Sequence, residues 1–145
     1  MSLSKEMCQP LSPEQTRFLE KTASQALGVL EEFTDDHITY GPTALQLLDE
    51  WIVRSERKGP VSTVSRAQII AFLGKTFLHA HGGHWATQMQ GDRQHLGVLC
   101  PVVGPVEHVR FIDITAQVNR RLREGIGASL ALAYLTASVD LKGRF

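Results

Sequence analysis

Apolar residues return every three or four positions between Phe18 and Phe33, through Leu19, Thr22, Ala26, Val29 and Leu30, which is the repeat of a single helix face. Ser12-Pro13-Glu14-Gln15 stands just ahead of that run. Ser12 can accept from an orphan amide, Pro13 suits the first helical position, and Gln15 can reach back as in a capping box. The pattern predicts a helix over about 13 to 33. A second helix starts at Gly41-Pro42-Thr43, with Leu45, Leu48, Trp51 and Ile52 inward and Arg54, Arg57 and Lys58 in its last turn, and Gly59-Pro60 stops it. The two predict an antiparallel helical hairpin joined by an ordered turn that contains Tyr40.

A third helix is marked by a capping pattern at Ser65-Arg66-Ala67-Gln68 and by Ile69, Ile70, Leu73, Phe77 and Ala80. Phe72 and Leu78 make it apolar on most sides, so it is expected to be central. Gly82-Gly83 ends it. The period then switches: His84 to Gln90 alternates, with Trp85, Thr87 and Met89 on one side and His84, Ala86, Gln88 and Gln90 on the other. Gly91-Asp92 is a turn, Leu96 to Val103 a second β segment, and Val106 to Ile112 a third after the Gly104-Pro105 break. Asp113 can cap a helix from Ile114 to Glu124, with Ile114, Val118 and Leu122 inward and Arg120, Arg121 and Arg123 outward. After Gly125, a last apolar helix runs from Ile126 to Asp140. The expectation is an α+β fold: a helical hairpin plus a central helix, a three-stranded antiparallel meander and two C-terminal helices. Trp51, Ile70, Leu73, Phe77 and Trp85 are its expected core.

With 145 residues and no composition shift, the chain is read as one domain, with residues 1–11 as a flexible leader and 141–145 as a frayed tail. No apolar run approaches the roughly 20 residues needed to span a bilayer, and the opening residues lack the basic-then-apolar order of a secretory signal. A cytoplasmic address is expected, with Cys8 and Cys100 as free thiols. Fifteen Lys/Arg balance fifteen Asp/Glu, so bulk attraction to nucleic acid or to an anionic membrane is not expected. The charge is nevertheless divided, with a balance of −4 over residues 1–60 and +4 over residues 61–145.

Four groups of residues carry candidate chemistry. His79, His81 and His84 could converge on a metal, with Asp92, His95 or His108 completing the set, but positions i and i+2 of a helix do not face each other. Imidazoles bonded to carbonyls around Gly82-Gly83 explain the cluster without a metal. Cys100 lies in an apolar run, where burial raises a thiol's pKa and leaves it inert. Asn119-Arg120-Arg121-Leu122-Arg123 is a basic stretch with no aromatic residues interleaved for base stacking, and it reads as a solvated helix face. Finally, Glu31, Glu32, Asp35 and Asp36 place four carboxylates at the C-terminal end of the first helix, where the helix dipole disfavours them. They are the candidate partner-binding residues.

Leu45-Gln46-Leu47-Leu48-Asp49-Glu50-Trp51, followed by Leu73-Gly74 and by Gly82-Gly83-His84-Trp85, resembles a family of small bacterial α+β domains. In these, two helices with a Leu-Asp signature precede a helix ending in Gly-Gly-x-Trp and a short meander. The likeness covers about 45 to 125 and specifies a fold rather than catalytic residues. Domains of this kind resemble the immunity proteins of interbacterial toxin systems. That resemblance implies a binding protein that neutralises a cognate protein toxin by occluding its active site; the spacing of His79 and His81, with no matched carboxylate motif, leads to the expectation of no metal, and no cofactor is expected. The alternative is a metal-dependent enzyme using His79, His81 and His84. A homo-oligomer is a further possibility, because the apolar residues at 126–139 could pack against another copy.

Overall fold

Ser12 builds the first helix as its sequence foretells: its Oγ accepts from the Gln15 amide at 3.1 Å while Gln15 Oε1 accepts from the Ser12 amide at 3.0 Å. The computed structural model describes residues 8–142. In chain order it contains β1 (Cys8–Pro10), α1 (Pro13–Thr34), α2 (Pro42–Glu56), α3 (Thr63–His81), β2 (His84–Gln90), β3 (Arg93–Val102), β4 (His108–Ile112), α4 (Ile114–Glu124), a 3-10 turn (Gly125–Ala128) and α5 (Leu130–Leu141). Over the described residues the fold is α+β, with five helices and an antiparallel sheet in the order β1-β2-β3-β4. No helix among the described residues is long and apolar enough to cross a membrane.

The sheet presents one face to the helices. Trp85, Val98 and Ile112 are opposite one another across β2, β3 and β4, and all three are buried in the core. Trp85 lies against α3 at Gly74, where a Cβ would come within 2.6 Å of the indole Cζ2. Gly83 makes the corner between α3 and β2. Its φ of 105° is in the left-handed region, and a side chain there would run into the backbone of Leu99 and Cys100. Ile70, Leu73, Phe77 and Trp85 are buried as expected, whereas Trp51 is half-buried and packs against the core from its edge.

Several boundaries differ from the sequence reading. The meander has a fourth strand, because Cys8, Gln9 and Pro10 pair with Gln88, Thr87 and Ala86 instead of forming a leader. Three residues ending in proline carry no alternation to read, and an edge position is where proline's missing N–H does least harm. Residues 1–7 of the expected leader and 143–145 of the expected tail fall outside the described residues. Leu141 is not frayed: it is buried, and its carbonyl accepts from the Val103 amide at 2.8 Å. α3 is capped by Ser62, not Ser65. The Ser62 hydroxyl accepts from the Ser65 amide, so the helix begins three residues before the expected start. Ile126 belongs to the 3-10 turn, and α5 begins only after Ser129 caps it. Phe18, assigned to the inward face of α1, is 64% exposed.

The largest correction concerns α1 and α2, which do not form an antiparallel hairpin. Tyr40, two residues before α2, sits beside Glu20 and Ser24 near the middle of α1; Leu48 and Trp51 meet Ala26, Val29 and Leu30; and Arg54 lies over the Phe33 ring, 5.1 Å from its centroid. The two helices therefore run the same way. Residues 35–41 act as a return strap, pinned by buried Ile38 and by Tyr40, whose ring lies 5.0 Å from Phe72. Seven residues of extended chain reach about 23 Å, enough to retrace some fifteen residues of helix at 1.5 Å each. α3 instead supplies the antiparallel neighbour of α1, with Lys75 Nζ 2.9 Å from Glu20.

Candidate functional site

The four carboxylates at the end of α1 divide into two pairs with different work. Asp35 closes the helix in the left-handed region (φ 54°, ψ 41°), and its amide donates to the Glu31 carbonyl. Glu31 then receives the emerging strap: its Oε2 accepts from the Ile38 amide at 3.1 Å and lies 2.8 Å from His37 Nδ1. Asp36 Oδ1 accepts from the His37 amide at 2.8 Å. Glu31 and Asp36 thus shape the turn. Glu32 and Asp35 are exposed, and neither side chain has an ion pair among the described residues. The result is a fixed, solvent-facing acidic corner at the negative end of a helix dipole.

The three imidazoles of the candidate metal cluster do not come together. His79 packs against Tyr40 with the rings tilted and their centroids 5.9 Å apart, on the α1 side of α3. His81 turns the other way, into the aromatic pair Phe77 and Tyr134, and its Nε2 lies 2.9 Å from the Ser138 hydroxyl of α5. His84 is exposed on the sheet face opposite Trp85. Of the three further candidates, His95 pairs with Asp113 at 2.6 Å, His108 Nδ1 lies 3.0 Å from the Val106 carbonyl, and Asp92 is in the exposed β2–β3 turn. No group of three or more His, Cys, Asp or Glu able to hold a metal occurs among the described residues. Burial lowers the His81 pKa, with Lys142 adding to the effect, so its imidazole stays neutral further into acid than a free one. Burial also drives the Cys100 thiol up to about 12, which makes it a poor nucleophile at neutral pH.

Sequence reading placed Arg121 outward with Arg120 and Arg123. Instead it is fully buried, and so is Asp49 of α2, at 3% exposure. Arg121 Nε donates to Asp49 Oδ1 at 2.8 Å and its Nη2 to the Asp49 carbonyl at 3.2 Å. The same carboxylate accepts from the Leu130 and Ala131 amides, at 3.1 and 3.2 Å, and from the Ser129 hydroxyl at 2.9 Å. One aspartate therefore ties α2 to α4 and also satisfies the first amides of α5. The signal was present in the spacing. Ile114, Val118 and Arg121 fall at i, i+4 and i+7 on one helix face, and Asp49 stands between Leu48 and Ile52 on another.

A cleft of about 510 Å³ opens beside this node, lined by Gln46, Asp49, Glu50, Arg54, Ile126 and Ser129 among others. Asp49 already accepts four hydrogen bonds on its two carboxylate oxygens, and the Ser129 hydroxyl is committed to it, so the pair offers neither an unengaged base nor an activated nucleophile. Comparisons with protein-family models, with curated proteins and with solved structures gave no match.

Proposed function

We propose that the protein works by binding a basic protein, and that the exposed carboxylates Glu32 and Asp35, on the turn ordered by Glu31 and Asp36, form part of the contact surface. The observation that carries this reading is the division of labour in the acidic corner. Two carboxylates hold the turn still, and two project from it unneutralised, at a helix end whose dipole opposes them. Such a rigid anionic corner speeds encounter with a cationic surface and loses little freedom on contact. Toxins that act on nucleotides or nucleic acids hold phosphates and have cationic clefts, so a carboxylate plug can occupy that field in place of substrate. Neutralisation of such a toxin is the specific role we assign.

The test is co-expression with the products of reading frames that neighbour its gene, scored by growth. The chain should rescue cells from one such product. Rescue should fail with Glu32→Lys/Asp35→Asn, a pair that changes charge while keeping a residue that tolerates the left-handed region at position 35. Rescue and salt-sensitive affinity that both survive the double change would move the interface to Arg120 and Arg123, since Arg121 is buried.

A further inference from the structure

We propose that the outer face of α5 receives a second copy of this chain, antiparallel about a two-fold axis. The first ten residues of α5, Leu130 to Val139, carry no charge. Their inner side is spent on the core through Leu130, Ala131, Tyr134 and Ser138, yet Leu132, Leu135 and Val139 remain 61%, 45% and 54% exposed. These three follow the i, i+3, i+7 spacing of a single stripe, and a helix that is apolar on both sides belongs between two packed layers.

Self-complementarity selects the occupant. Beside the Leu132–Leu135–Val139 ridge runs a groove of about 390 Å³ between α4 and α5, lined by Gln117, Arg120, Gly127, Ala133 and Ala137 among others. A ridge next to a groove on one surface is what a two-fold interface requires, since each copy's ridge enters the other's groove. The charges agree. Arg120 stands at the end where α5 begins, because the adjacent Arg121 is bonded through Asp49 to the Leu130 amide. Asp140 stands at the other end and pairs with Arg110 at 3.3 Å. Arg120 is itself paired with Glu124 of its own helix at 3.2 Å, so an antiparallel arrangement brings that pair in each copy toward the Arg110–Asp140 pair of the other, twice. α5 is about 18 Å long at 1.5 Å per residue, and a face two helices wide buries on the order of 1,000 Å² in total. That is the lower edge of specific interfaces, so a reversible dimer is expected, and the micromolar range is where it is sought.

Sedimentation equilibrium of the full chain from about 1 to about 500 µM brackets that range. The expected mass rises from one chain to two, and Leu135→Glu shifts the midpoint at least about tenfold with an unchanged circular dichroism spectrum. Thr136 is exposed near the middle of the helix, close to the proposed axis. In a Cys8→Ser background, Thr136→Cys should therefore oxidise to a disulfide-linked dimer. A single-chain mass at every concentration would assign the face to a different protein and overturn the proposal. A two-chain mass indifferent to Leu135→Glu, or a Thr136→Cys variant that stays unlinked under oxidation, would overturn it as well.

Discussion

Two acidic features of this protein, Asp49 and the corner at Glu31–Asp36, use the same functional group for opposite ends. Asp49 is 3% exposed and bonded to a guanidinium, two amides and a hydroxyl. Glu32 and Asp35 face solvent, with no cation bound to either among the described residues. A carboxylate whose lone pairs are all engaged inside the fold contributes to cohesion and has nothing left for a ligand. One that stays in water costs the fold little and remains able to meet a partner. The difference lies in the partners each side chain has, not in residue type.

The sharpest way to break the comparison is to remove the buried half. Replacing Arg121 by Met leaves the Asp49 carboxylate without its counter-ion, and loss of one member of a buried pair costs about 3–5 kcal/mol. Asp49→Ala should lie at the upper end of that range, because it also orphans the Leu130 and Ala131 amides. Urea unfolding monitored by circular dichroism measures both. Adding Arg121→Met to Asp49→Ala should cost little more than Asp49→Ala alone, since the stranded cation is then gone. If both single variants unfold within 1 kcal/mol of the parent, on the order expected of ordinary surface changes, the node is not the tie described.

That node also marks where sequence reading reached its limit. Period and punctuation made most of the fold legible: the Ser12 capping box, the glycine corner at Gly82-Gly83, the alternation that puts Trp85 inward and the Asp113 cap all stand as read. Three things were not legible. β1 was missed because three residues ending in Pro10 have no period of their own, and their strand character comes from the free edge of β2. The co-directional path of α1 and α2 was missed because an ordered strap and a tight turn share turn-forming residues; only the burial of Ile38 and Tyr40's packing on Phe72 distinguish them. Arg121 was assigned outward by its chemistry against its own spacing. At the candidate site, the four carboxylates could be picked out, but not which two the turn consumes. That depends on Glu31 bonding seven residues ahead, to the Ile38 amide.

His81 lies between the two extremes, partly buried against Tyr134 and Ser138. Burial first, and then Lys142, lowers its pKa in the folded chain. On acidification the unfolded chain takes up this proton first, as pH passes about 6.5, while the folded chain resists until its own lower pKa. The stabilisation is therefore present above that pH and is lost as pH falls toward the folded value. His81→Gln should flatten the decline in urea midpoint between pH 7.5 and about 5.5. An equal decline in parent and variant would show that other groups carry it.

The smallest effect on stability is expected at the exposed corner. Among the described residues the side chains of Glu32 and Asp35 accept no hydrogen bond from the turn, which is held by Glu31, Asp36 and the Asp35 backbone. Glu32→Lys also places a cation near a helix C-terminus, which the dipole favours, and asparagine keeps the left-handed closure at position 35 accessible. The double variant should unfold within about 0.5 kcal/mol of the parent, with any change toward greater stability. This near-neutrality gives the comparison its force, because lost protection in a variant this stable can only reflect a changed surface. A loss of 2 kcal/mol or more, on the scale of buried contacts, would show that these carboxylates are structural as Asp49 is, and the contrast between the two features would fail.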